Sequence, residues 1–206
     1  MNLLLLGGGG HSSVVAETAL ALNKYNLISY IDDNLNAELF GEKPLGPIKF
    51  FEKKNIINSY QDIFVAIGES KIRMELIDRI KQYDYNLKTL IHPKAIISDS
   101  SSIGFGVAIF AGSVIQANVV IEDGVIINTS SSIDHHSKIC SGSHVCPGVH
   151  LGGNVSIGQN SWIGIGSVIK QNIRIGSNVV IGAGSVVIND IEDNKIVYGV
   201  PAKPKN

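Results

Sequence analysis

Charge, cysteine and long apolar runs are all scarce in this chain. Its 206 residues carry 17 basic and 18 acidic side chains, a net charge of −1. That balance leaves no electrostatic footprint for a nucleic-acid backbone. The apolar run Leu3–Leu6 is four residues long, where a membrane helix needs about 20. It has neither the basic start nor the cleavage site of a signal peptide, so no membrane insertion is expected. The two cysteines, Cys140 and Cys146, are six residues apart. Reduced thiols in a cytoplasmic protein are the expectation.

What the chain has instead is a repeat. From Ile97 to Val187 every sixth residue is aliphatic, and four residues after each stands only Ser, Val or Ile. A helix would repeat near 3.6 residues and a half-buried strand at 2. Six residues make a short strand and a bend, and three such units make one 18-residue triangular coil. The aliphatics stack inside, with the small or β-branched residues beside them. Glycine often follows the aliphatic, as at Gly152, Gly158 and Gly164, where backbones approach closely. Fifteen hexads from 97 to 186 predict five coils of parallel strands.

The segment before the repeat has a different pattern. Residues 2–6 and 27–31 read as strands. Between them lie a loop at 7–12, containing Gly8, Gly9, Gly10 and His11, and a helix from Ser13 to about Lys24. The second strand ends in Asp32-Asp33. Such a β-loop-α-β unit suits a nucleotide: glycines admit a phosphate, helix N–H groups face it, and a carboxylate accepts from ribose or base. The fingerprint is imperfect, because Ser12 stands where its third glycine belongs. A strand over 62–67, Gly68 and a helix over 71–81 with Ile72, Leu76, Ile77 and Ile80 on one face complete a small Rossmann-like parallel-sheet domain. The predicted division is 1–88 for this α/β domain and 89–206 for the all-β repeat domain and its tail.

Four of six histidines fall within 16 residues of the repeat: His135, His136, His144 and His150. His135 lies two residues past the inward Ile133, which puts it at a corner, pointing outward. Beside Asp134, it suits a general base whose tautomer the carboxylate sets.

These residues carry a family resemblance. The Gly-rich opening, Asp32-Asp33, Ala66-Ile67-Gly68, Leu90-Ile91-His92-Pro93, Asn128-Thr129-Ser130-Ser131, Asp134-His135, His144, Gly152-Gly153-Asn154-Val155 and Gly199-Val200-Pro201-Ala202-Lys203 resemble the nucleotide-sugar N-acetyltransferases of bacterial glycan synthesis and the related sialic-acid O-acetyltransferases. The resemblance implies a left-handed parallel β-helix of hexapeptide repeats and a homotrimer with active sites between subunits. It implies acetyl-CoA as co-substrate, no metal, and a UDP-amino-sugar on the N-terminal domain. His135 would be the base toward the sugar's 4-amine, with Asp134 and His136 beside it. His144, Asn128, Gly153 and Ala183 would meet acetyl-CoA. Gly8, Gly9, Gly10, His11, Asp32, Asp33 and Gly68 would hold the nucleotide. The bacillosamine enzyme has acidic residues on both sides of its base, whereas here His136 follows. Three other readings stand beside this one: O-acetylation of a sialic-acid-like sugar, a zinc site on His135, His144 and His150, and a non-catalytic scaffold.

Overall fold

The structure, a computed structural model, describes residues 1–204. The chain divides into two compact units, Met1–Pro93 and the chain from Lys94 onward. No helix among the described residues is long and apolar enough to cross a membrane.

In the first unit, β1 (Asn2–Leu6) lies between β2 (Leu27–Ile31) and β3 (Asp62–Val65), and β4 (Asn86–Leu87) pairs with β3. All three pairings are parallel. Parallel strands are buried on both faces, which is why Leu3, Leu4, Leu5 and Leu6 run apolar without alternation and are fully buried. Helix α1 (Gly10–Ala21) starts three residues earlier than the sequence suggests. Gly10 and His11 therefore belong to its first turn, and the phosphate-type loop is only Gly7–Gly9. A 3₁₀ turn (Ile48–Glu52) and α2 (Lys54–Ser59) fill the segment for which periodicity gave no assignment. On α3 (Ser70–Ile80) the buried face is Ser70, Arg73, Leu76, Ile77 and Ile80, while Ile72 is exposed. Arg73 takes the place expected for Ile72, because its guanidinium has carbonyls to bind beneath the helix.

The second unit is a β-helix of about six turns. Each strand pairs with the strand 18 residues on, as in Ile121↔Ile139, Ile127↔Val145 and Ile133↔Leu151. The turn count exceeds five because pairing continues past the last regular hexad, to Ile196–Tyr198. The serines four residues past the aliphatics are buried without becoming orphans. Ser131, Ser143, Ser161 and Ser167 each donate to a carbonyl 15 residues later, at 2.7–3.0 Å. A buried hydroxyl is tolerated only with such a partner, and here the partner ties one coil to the next. Glycines after the aliphatic sit where a Cβ would strike the neighbouring coil: at Gly164 it would meet the Ile181 carbonyl oxygen at 2.4 Å.

The corners obey a second rule. From Gly106 to Gly184 every sixth residue has φ between +54° and +74°. Glycine and asparagine fill these left-handed positions, as sterics require, with two exceptions, Ser130 and His136. Those two successive corners flank Asp134 and His135.

Candidate active site

His135 is exposed at its corner, as its place in the hexad requires. Its imidazole lies against Gly153, one coil on: a Cβ there would stand 2.6 Å from Cε1 and 2.7 Å from Nε2. The absence of a side chain at 153 is what gives the ring its place. The orienting group differs from the sequence expectation. Asp134 Oδ1 accepts from the backbone N–H of His135 at 2.8 Å. The ring nitrogen Nδ1 instead meets Nδ1 of His136 at 3.0 Å, the two rings edge to face. Adjacent residues on extended backbone point apart. The left-handed φ of +59° at His136 turns its side chain back toward its neighbour. On the far side of that ring, Nε2 lies 3.2 Å from Asn118 Nδ2.

A second group gathers around His144, which is buried on the outward side of strand His144–Val145. Register places it between Ile126 and Trp162. The indole packs on its ring with centroids 4.3 Å apart. Asn128 Nδ2 is 3.1 Å from His144 Nε2. The Asn128 amide is oriented by Thr129, whose N–H donates to Oδ1 at 2.8 Å. Nδ2 therefore faces the imidazole as a donor, Nε2 accepts, and neutral His144 carries its proton on Nδ1. His150 belongs to neither group, its Nδ1 lying 2.8 Å from Ser132 Oγ. Among the described residues no three His, Cys, Asp or Glu side chains are grouped to hold a metal ion. Ala183 is exposed at a prism corner.

In the first unit the Gly-rich loop is held by Asp32, the first of the acidic pair. Gly8 N–H donates to Asp32 Oδ2 at 2.6 Å, and Asn34 N–H to Oδ1 at 2.7 Å. Asp33 acts elsewhere, accepting from Ile48 N–H at 2.9 Å at the start of the 3₁₀ turn. Arg73 is fully buried. Its guanidinium donates to the carbonyls of Ile67 and Gly68 at 3.0 and 2.6 Å. This fixes the loop after β3 with both carbonyls turned inward. Burial lowers the Arg73 pKa to about 10, with Glu69 opposing, so the charge persists at neutral pH. Burial first, and Arg73 second, push the His11 pKa down to about 4. His11 is thus a neutral imidazole at pH 7.

Known proteins share both units. The model described as PglD N-terminal domain matches residues 2–80. The bacterial transferase hexapeptide model, of six repeats, matches residues 154–189. The acetyltransferase domain of PglB from Neisseria gonorrhoeae FA1090, solved in complex with acetyl coenzyme A, is 39% identical with a TM-score of 0.94, over 99% of this chain and 98% of that one. This chain belongs to the PglB-type acetyltransferases. PerB from Caulobacter crescentus, solved with CoA and GDP-perosamine, is 32% identical with a TM-score of 0.93, over 100% of this chain and 98% of that one. A curated member, UDP-N-acetylbacillosamine N-acetyltransferase of Bacillus subtilis (strain 168), is 33% identical over 111 residues, 53% of this chain. The match spans about half of that protein, 51%.

The sequence reading passed over four side chains that the structure sets at notable positions: Asn118, Ser130, Trp162 and Arg73. Three had a signal. Asn118 and Ser130 occupy the left-handed corner position, three residues past an inward aliphatic, and Trp162 stands 18 residues after His144. Arg73 had none, since a lone arginine on an amphipathic helix reads as solvated.

Proposed function

We propose that this acetyltransferase moves the acetyl group of acetyl-CoA to the 4-amine of a UDP-linked amino-deoxy sugar in the cytoplasm. The observation that carries the reading is the His135 imidazole, exposed above Gly153 with Nδ1 engaged by His136 and Nε2 left for substrate. The printed names of the relatives supply the direction: an N-acetyltransferase of a UDP-sugar, and complexes holding CoA with a nucleotide-linked amino sugar. No observation favours O-acetylation.

The neutral amine attacks the thioester carbonyl, and the new C–N bond forms as the carbonyl π pair moves to oxygen. His135 Nε2 takes the ammonium proton. Collapse expels the CoA sulfur, which takes that proton back from His135 and leaves as thiol. The His144 Nδ1–H is a neutral donor suited to the thioester oxygen. Gly153 and Ala183 line the CoA path, and Asn128 holds His144. Gly8, Gly9, Gly10, His11, Asp32 and Gly68 form the nucleotide seat, and Asp33 braces it through Ile48.

The acting form is a homotrimer with sites between subunits. Two of the three prism faces are nearly uncharged: one presents Ala108, Ile126, His144, Trp162 and Val180, another Ile96, Val114, Ser132, His150, Val168 and Val186. Trp162, Val168 and Val180 are each about 40% exposed in the single chain, apolar area that ring closure would cover. Light scattering at micromolar concentration is expected to return three copies, and a monomer would remove the shared site.

The test of substrate is CoA release over a panel of UDP- and GDP-linked 4-amino sugars and free sialic acids, with calorimetric titration of UDP. Turnover is expected with a UDP-4-amino sugar, and UDP alone should bind. Acetylation of free sialic acid without UDP binding would overturn the reading.

A further inference from the structure

His136 stands at a corner where its neighbours along the prism are asparagines. Asn118, His136, Asn154 and Asn172 follow one another at intervals of 18 residues, each with φ between +58° and +61°. Asn154 Nδ2 donates to Asn172 Oδ1 at 2.9 Å. Asn118 Nδ2 lies 3.2 Å from His136 Nε2. The corner is an amide ladder with one imidazole rung, and that rung reaches back to His135 at 3.0 Å.

Three groups in series allow two consistent proton patterns when both rings are neutral. In the first, the Asn118 amide donates to His136 Nε2. His136 then carries its proton on Nδ1 and donates it to His135 Nδ1, so the proton of His135 sits on Nε2. That nitrogen has no lone pair for an amine proton. In the second, Asn118 presents Oδ1 and accepts from His136 Nε2–H. His136 Nδ1 then accepts from His135 Nδ1–H, and His135 Nε2 is a free base. A half-turn of the Asn118 amide about χ2 converts one pattern to the other. Asn128 has its amide direction set by Thr129. Among the described residues the Asn118 amide meets only His136.

We infer that Asn118 is a positioning residue for acetyl transfer, acting through His136 to set the tautomer of His135. This rests on His135 being the base. The amide stands with Nδ2 toward His136, the first pattern; the half-turn that brings Oδ1 round gives the second, in which an amide carbonyl two groups away holds His135 Nδ1–H through the intervening ring in place of a carboxylate.

The test compares Asn118→Gly, Asn118→Asp, His136→Asn and His135→Ala in the full-length protein. Glycine and aspartate both suit a left-handed corner, so the ladder keeps its backbone. The expected kcat of Asn118→Gly is lower by about 5- to 20-fold with both KM values little changed, the signature of an interaction made in the chemical step. Asn118→Asp offers only acceptors and recovers that loss. In His136→Asn, Oδ1 takes the place of Nδ1 and accepts from His135 directly. In that background Asn118→Gly should cost no further activity. ¹⁵N spectra of labelled histidine should show His135 protonated on Nδ1 in Asn118→Asp, and shifted toward Nε2–H in Asn118→Gly. Wild-type kcat in Asn118→Gly with an inactive His135→Ala would overturn the relay alone. Near-normal kcat in His135→Ala would overturn the base assignment and the relay with it. An equal loss from Asn118→Gly in both backgrounds would also overturn the relay, since the effect would not pass through His136.

Discussion

Replacing Gly153 by alanine should disable the enzyme without unfolding it. The added Cβ would lie 2.6 Å from His135 Cε1 and 2.7 Å from Nε2, and its three nearest atoms all belong to that ring. Carbon contacts settle at about 3.5 Å or beyond, so the imidazole must move by roughly 1 Å. The φ at 153 lies outside the left-handed range, so alanine imposes no backbone strain there. His135 is exposed, so its displacement costs little stability. The shift is nonetheless ruinous for chemistry. It carries Nε2 away from the amine and breaks the 3.0 Å contact with His136. A misplacement of about 1 Å in a reacting group costs about 10²-fold. Steady-state assay of Gly153→Ala should show kcat down by that order, with a melting temperature close to wild type. A kcat within threefold of wild type would refute the claim that this glycine exists to seat the ring. A drop in kcat matched by a large fall in melting temperature would refute the claim that the effect is local.

Other perturbations separate the parts. Arg73→Met leaves the carbonyls of Ile67 and Gly68 without their donor, and chemical denaturation should show a loss of about 2–3 kcal/mol. Asp32→Ala should raise KM for the UDP-sugar about tenfold by freeing the Gly8 N–H and losing an acceptor, with KM for acetyl-CoA unmoved. Asp33→Ala should instead cost stability, about 1 kcal/mol for the bond to Ile48, and little affinity. His11 has its pKa depressed to about 4 from an unfolded value of 6.5. Below 6.5 the unfolded chain binds the extra proton. The contribution of His11 is therefore complete above that pH and is lost as pH falls from 6.5 to 4, on the order of 3 kcal/mol in all. Denaturation at pH 7 and pH 5 should show this slope, flattened in His11→Gln.

The prism was legible because its interior imposes a period. An inward residue every six places must be aliphatic, and Ile97 to Val187 obey this without exception. The corners were equally periodic but were passed over, since glycine and asparagine there serve backbone conformation rather than packing. Once the left-handed rule is seen, His136 stands out as a residue held at φ +59°, where only another use repays the strain. The outward corner position of His135 was readable from its place in the hexad, but the partner of its ring was not. Asp134 adjoins His135 in sequence, yet its carboxylate closes on the backbone N–H. A one-residue difference in backbone handedness decides which neighbour meets the ring. In the α/β unit, strands announced themselves by apolar runs. Helix α1 was placed too late because Gly7–Gly10 reads as loop, although Gly10 already has helical backbone.

The most direct test of the account is the turnover of His135→Ala with acetyl-CoA and a UDP-linked 4-amino sugar at neutral pH. With Nε2 gone, no group takes the ammonium proton as the amide forms, and kcat should fall by about 10²-fold or more while acetyl-CoA binding stays near wild type. A near-normal kcat would contradict the account, because the exposed imidazole above Gly153 would then have no part in acetyl transfer.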